Sequence, residues 1–230
     1  MLFIVIAVFL VLVLLYRIIF FRHQYRTGKQ SDTKTEHPEE SALDDYGWIG
    51  ESLIYDQLEI LERQGARFLL NAYIPKRDGT RSEVDLIMVS QAGIFVIESK
   101  HYSGQVRGSK DEQYWTQIKR NREINTFYNP IRQNESHCLY IGEYLGLDAS
   151  KFMSYIVFSD KCEFKGLPKS SKHYRILHRR DLLFAIKRDM KNRGNIFSKK
   201  KAFEIYASLY PLTQESEEVK RQHREDVRRY

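Results

Sequence analysis

Four residues in this chain have the types and spacing that phosphate chemistry needs. Glu98 and Lys100 lie two apart in an apolar run, GIFVIESK (93–100), that reads as a strand, so their side chains leave the same face. SEVDLIMVS (82–90) reads as the preceding strand, joined to it by a tight turn. If Gln91-Ala92 forms that turn, Asp85 opposes Glu98; if Ala92-Gly93 forms it, Asp85 opposes Lys100. Either two-residue turn puts Asp85 on the Glu98/Lys100 face, about 5 Å across at Cβ, and a three-residue loop does not. Opposed carboxylates repel unless a cation lies between them, and oxygen ligands of this kind suit Mg2+ or Mn2+ completed by water. Lys100 beside them could assist an attacking water or steady charge on a phosphate. Glu51 falls three residues before Ile54 on the inward stripe of a helix, where a carboxylate is out of place.

Taken singly, each residue has a plainer reading. Glu51 near a helix start favours the helix dipole, and Asp85, Glu98 and Lys100 could form an ordinary ion-paired cluster. The set weighs more than its members: an apolar strand ends abruptly in E-S-K opposite an acid.

The elements that must position these residues follow from periodicity. Trp48 to about Gln64 is a helix with Ile54, Leu58 and Leu61 inward, and 66–74 is a strand before the two strands above. A loop containing Gly104, Gly108 and Trp115 comes next. Asn129-Pro130 opens a helix to about Leu145, Asn as cap and Pro at the first position, burying Ile131, Cys138 and Leu145. Its opposite stripe, Gln133, His137, Tyr140 and Tyr144, reads as half-exposed for His137 and the tyrosines. Residues 152–159 and 174–178 are strands, with helices expected near 179–190 and 199–209. The order gives an α/β fold, an open mixed sheet with helices on its faces.

The segments GWIGES (47–52), SEVDLIMVSQAGIFVIESK (82–100) and NPIRQNESH (129–137) together resemble the nuclease-related domain (NERD) family, placed in the PD-(D/E)xK group. The resemblance implies a restriction-endonuclease-like αβββαβ core, a mixed central sheet flanked by helices, with nuclease ancestry. It places Glu51, Asp85 and Glu98 at the family's metal positions, Asp85, Glu98 and Lys100 at its catalytic ones, and Gln133 at the glutamine of its N-P-x-x-Q segment. Ser99 and His101 stand where the family more often shows Val and Asn; neither change removes a ligand.

Residues 1–21, MLFIVIAVFLVLVLLYRIIFF, carry one charge, Arg17, and are long enough to cross a bilayer as a helix. A cleaved signal would want a positive start and a small-residue cleavage site, and neither is present. Arg17, Arg22, Arg26 and Lys29 follow the apolar run, which predicts the cell membrane, with the N-terminus outside and the remainder in the cytoplasm. The expected organisation is a transmembrane helix (1–21), a flexible polar tether (22–43), the nuclease-related domain (44–160), a basic extension (161–210) and a charged tail (211–230). Two widely spaced cysteines, Cys138 and Cys162, argue against a disulfide framework or a cysteine-based zinc site.

The net charge of +7 is uneven: residues 161–201 hold 14 Lys and Arg against three acids, whereas the rest of the soluble part is net acidic. Such a region can neutralise nucleic-acid phosphates or be drawn to anionic lipid, and charge alone does not separate them. Gly104–Lys110 has the wrong spacing for a P-loop. Trp115 with Lys119, Arg120 and Arg122 mixes an aromatic with bases, which suits either a nucleic-acid groove or a buried Trp beside a solvated charge run. The leading expectation is metal-dependent phosphodiester hydrolysis, DNA favoured; the alternative is a catalytically silent membrane-tethered module that binds nucleic acid or protein.

Overall fold

The computed structural model describes residues 49–216 and 218–220. The apolar run 1–21, the tether and Trp48 lie outside the described residues. No described helix is long and apolar enough to cross a membrane.

Residues 49–58 form α1, continued by a 3-10 turn, Glu59–Gln64, that stops at Gly65 with φ +89°. Ile54, Leu58 and Leu61 are its buried stripe, as their spacing requires. The main sheet has the order β1-β2-β3-β7-β9. Strands β1 (Arg67–Pro75), β2 (Arg81–Ser90) and β3 (Gly93–Lys100) form an antiparallel meander, and β7 (Phe152–Phe158) and β9 (Tyr174–His178) continue it in parallel. Strand β7 is buried along its whole length, as a strand covered on both faces must be.

Helix α2 (Pro130–Leu145) is capped as expected: Asn129 Oδ1 accepts from Ile131 N at 3.0 Å, with Pro130 following. It packs with α4 (Lys199–Leu209) on the sheet face carrying Leu69, Ile87 and Val96. Helix α3 (Arg179–Arg193) reaches the other face, where Asp189 meets the Tyr155 hydroxyl.

Two expectations need correction. The expected loop after β3 contains a second sheet, β6-β5-β4-β8, built from β4 (Gly104–Arg107), β5 (Tyr114–Ile118), β6 (Ile124–Tyr128) and β8 (Cys162–Lys165). Its strands are short, and the inward side of β5 alternates apolar Trp115 with polar Gln117, which donates to Ser103 O at 2.8 Å. The hydrophobic period is therefore broken, and the parallel partner β8 arrives from 58 residues further along the chain. Helix α2 is also turned relative to expectation. Its buried set is Ile131, Asn134, His137, Ile141 and Gly142, while Cys138 and Leu145 are only partly covered. Asn134 can be buried because its amide donates to Val96 O, Tyr155 O and Ser154 Oγ, tying the helix to the two central strands. Residues 161–210 supply β8, β9 and α4 to the sheets and the core, and Trp115 is a fully buried residue stacked on Phe158.

Candidate active site

Strand register sets the row from which the site is built. The pairs Leu70–Leu86 and Ala72–Val84 put Asn71 opposite Asp85, and Leu86–Ile97 puts Asp85 opposite Glu98. The turn is Gln91-Ala92, with Ser90 opposite Gly93. At this row the regular ladder gives way. Ser99 N donates to Asp85 Oδ2 at 2.6 Å, so a side chain replaces the next backbone partner. Asn71 adopts φ +49°, a left-handed conformation that asparagine tolerates better than most residues. The two interruptions lie side by side, in the middle of β1 and between β2 and the end of β3.

Asn71 Nδ2 donates to Glu51 Oε2 at 2.8 Å and to Glu83 Oε1 at 3.2 Å, tying α1 to the row. Entry of α1 onto the sheet needs Gly50: a Cβ there would stand 2.8 Å from Ser99 Oγ and 2.9 Å from His101 Cβ. Lys100 Nζ donates to Glu98 Oε1 at 2.6 Å and to Gln133 Oε1 at 3.2 Å, so the first turn of α2 steers the ammonium. The sequence thus names five residues, Glu51, Asp85, Glu98, Lys100 and Gln133, that the fold brings together.

It misses two more. Asn71 looks like any polar residue in a strand. His137 is buried, contrary to the half-exposed reading, and its Nδ1 lies 3.5 Å from Glu98 Oε2. His137 lies one helical turn after Gln133, and that spacing was the available signal.

Burial raises the Asp85 carboxyl well above the usual range, reinforced by the charges of Glu98 and Glu51 and only partly opposed by Lys100 and Ser99 N. Burial likewise pushes Glu51 up to about 8, against the Asn71 amide and with help from Glu83 and Glu98. Lys100 is pulled down by burial, yet Glu98, Tyr102 and Asp85 outweigh this and hold it charged. The site therefore holds more carboxyl groups than one ammonium can keep ionised. Glu98 Oε2 is buried with no hydrogen-bond partner among the described residues. No group of three or more His, Cys, Asp or Glu side chains among the described residues is arranged to hold a metal ion. Mg2+ does not need such a group, because it commonly takes one or two carboxylates and keeps its waters. The donor set fits that open kind of site.

Residues 46–159 match the family model for NERD, the nuclease-related domain. A relative from Bacillus anthracis, an uncharacterised protein, is 32% identical over 137 residues, covering 59% of this chain and 63% of the relative. This chain thus spans less than two thirds of that relative's length. A crystal structure of a protein of unknown function aligns with a TM-score of 0.26 and 12% identity, over 71% of this chain and 100% of the other. The five residues expected from sequence, together with Asn71 and His137, fall within the matched segment.

Proposed function

We propose, from the nuclease-related domain that residues 46–159 match, that this protein hydrolyses phosphodiester bonds in nucleic acid with Mg2+ or Mn2+, DNA being the favoured substrate. The observation that carries the reading is the row itself: crowded carboxyls at one strand end, one buried oxygen that takes no hydrogen bond, and a lysine held between Glu98 and Gln133. On this reading the αβββαβ core is of the restriction-endonuclease kind. Glu51, Asp85 and Glu98 would hold the ion. When bound, it supplies positive charge to the oxygens of the scissile phosphate.

The chain's own residues do the rest. Lys100, kept charged by its carboxylate neighbours, faces the phosphate and stabilises the charge that builds there. Gln133 and Glu98 fix the ammonium between them, and His137 backs Glu98 from the other side. Asn71 keeps Glu51 turned toward the row. Residues 1–21 anchor the chain in the cell membrane, with the N-terminus outside and the catalytic domain in the cytoplasm.

A second reading, a tethered binding or scaffold module without turnover, draws on one observation. Glu98 Oε1 is already closed on Lys100 at 2.6 Å, and a permanent ion pair there would leave too few oxygens for a metal.

The full chain in detergent, assayed on labelled single- and double-stranded DNA and RNA with Mg2+, Mn2+ or EDTA, decides between them. Metal-dependent cleavage that disappears in folded Asp85→Ala and Glu98→Ala supports the nuclease. Binding without cleavage under every condition supports the silent module.

A further inference from the structure

Helix α3 has an outer face that the proposed chemistry does not use. Its inner side buries Leu182, Ala185, Ile186 and Asp189. Asp189 takes Arg175 Nε and Nη2 at 2.8 and 3.0 Å and the Tyr155 hydroxyl at 2.7 Å, which fixes the rotation of the helix. Arg180, Phe184, Lys187, Arg188 and Lys191 are thereby turned outward at spacings of one helix face. Phe184 is 73% exposed, ahead of every other large exposed hydrophobic residue among those described. Beside it opens a groove of about 690 Å³ whose lining includes Ser170, Lys172, Arg175 and Arg188. Of the outward bases, Arg180 lies 3.9 Å from Asp181 and Arg188 3.5 Å from Asp189, and both remain exposed.

We propose that this face docks on an anionic lipid surface, Phe184 entering the headgroup boundary while Arg180, Lys187, Arg188 and Lys191 meet lipid phosphates. An apolar wedge ringed by bases on a helix is the arrangement that interfacial binding uses. Nucleic acid fits the same charge less well, for two reasons. Sequence-tolerant strand binding places successive aromatics along a groove, and this face has one. The helix also leads away from the carboxylates. Lys100, Phe158 and His178 are in register across β3, β7 and β9, so α3 begins at the site end of the sheet and runs back from it. Lys191 lies about 18 Å along the axis from Arg179. A phosphate at the site meets only its first turn.

The proposal relies on the membrane anchoring proposed above for proximity alone; its chemistry is carried by α3. The test uses the full chain with Phe184→Trp, compared with the parent chain, mixed with vesicles of bromine-labelled phosphatidylcholine, with or without phosphatidylglycerol. The expected result is a blue shift and bromine quenching of the added fluorescence only with the anionic vesicles. Both should be lost in Lys187→Glu combined with Arg188→Glu, whose circular dichroism is unchanged. A chain that floats with the vesicles while the added tryptophan stays unshifted and unquenched in both overturns the α3 face and leaves the anchor standing. A chain that floats with neither vesicle overturns both. A shift produced by single-stranded DNA and not by anionic vesicles overturns lipid in favour of nucleic acid.

Discussion

Glu98 is approached from both sides: Lys100 lies 2.6 Å from one of its oxygens and His137 3.5 Å from the other. On the nuclease reading, Lys100→Met keeps the carboxylates but removes the charge facing the phosphate. Cleavage should slow by about 10²-fold or more with substrate affinity little changed, measured in single turnovers. The raised carboxyls give a second expectation. Glu51 holds its proton up to about 8 in the folded chain, against an ordinary value of 4.5. Between those values the unfolded chain has released a proton that the folded chain retains, so stability falls as pH rises through this window. Melting temperature of the metal-free protein should therefore decline across that window, and less steeply in Glu51→Gln. Added Mn2+ should reverse the trend, because an ion favours the ionised carboxyls. A decline of equal steepness in Glu51→Gln would remove Glu51 as its source. Glu51, Asp85, Glu98 and Lys100 were legible in sequence because each sits at a fixed offset in a regular element, and Gln133 because of the resemblance of its N-P-x-x-Q segment. Asn71 was not, because its importance comes from a left-handed backbone and a partner 20 residues away.

At the scale of elements, α2 is the piece on which the site depends most. Its cap does more than start a helix: Asn129 Nδ2 donates to Ser109 O, Lys110 O and Glu112 O, so one buried amide locks the second sheet's β4–β5 connection to the helix that carries Gln133 and His137. Asn129→Ala should cost about 2 kcal/mol or more in denaturant unfolding, since it removes a cap and leaves buried carbonyls without a donor. It should also lower any cleavage rate in proportion to the loosening of Gln133. An unfolding midpoint equal to the parent's would show that the cap is dispensable. The cap was readable from Asn-Pro before an amphipathic run. The second sheet was not, because β8 comes from far along the chain and Gln117 interrupts the apolar period of β5. The rotation of α2 escapes the apolar pattern for a related reason: Asn134 and His137 are buried through the polar partners they meet.

At the scale of the whole molecule, the strand after α2 does not complete the core. Phe197, Ala202, Ile205, Leu209 and Leu212 belong to one buried cluster with Leu69, Val89 and Val96, so a segment beyond the matched family region closes the sheet that bears Glu98. Ile205→Ala should destabilise the protein by about 3 kcal/mol through the cavity it leaves, and removal of 196–230 should abolish cooperative unfolding. A truncated chain that still unfolds cooperatively would show that the core closes without α4. The charge asymmetry was visible in composition, but its arrangement required the fold: α3 turns Arg180, Lys187, Arg188 and Lys191 outward and α4 opens on Lys199–Lys201, whereas Arg175 on β9 is paired with buried Asp189.

The Asp85–Glu98 row, proposed as a divalent-cation site, is probed more closely by metal binding than by turnover. Mn2+ titrated into the full chain should give one saturable site by electron paramagnetic resonance or calorimetry, releasing protons as Glu51 and Asp85 ionise. That site should be lost in folded Glu98→Gln and in folded Asp85→Asn. Saturable Mn2+ binding that survives both substitutions, or no saturable binding by the folded parent chain, would rule out the row as a cation site.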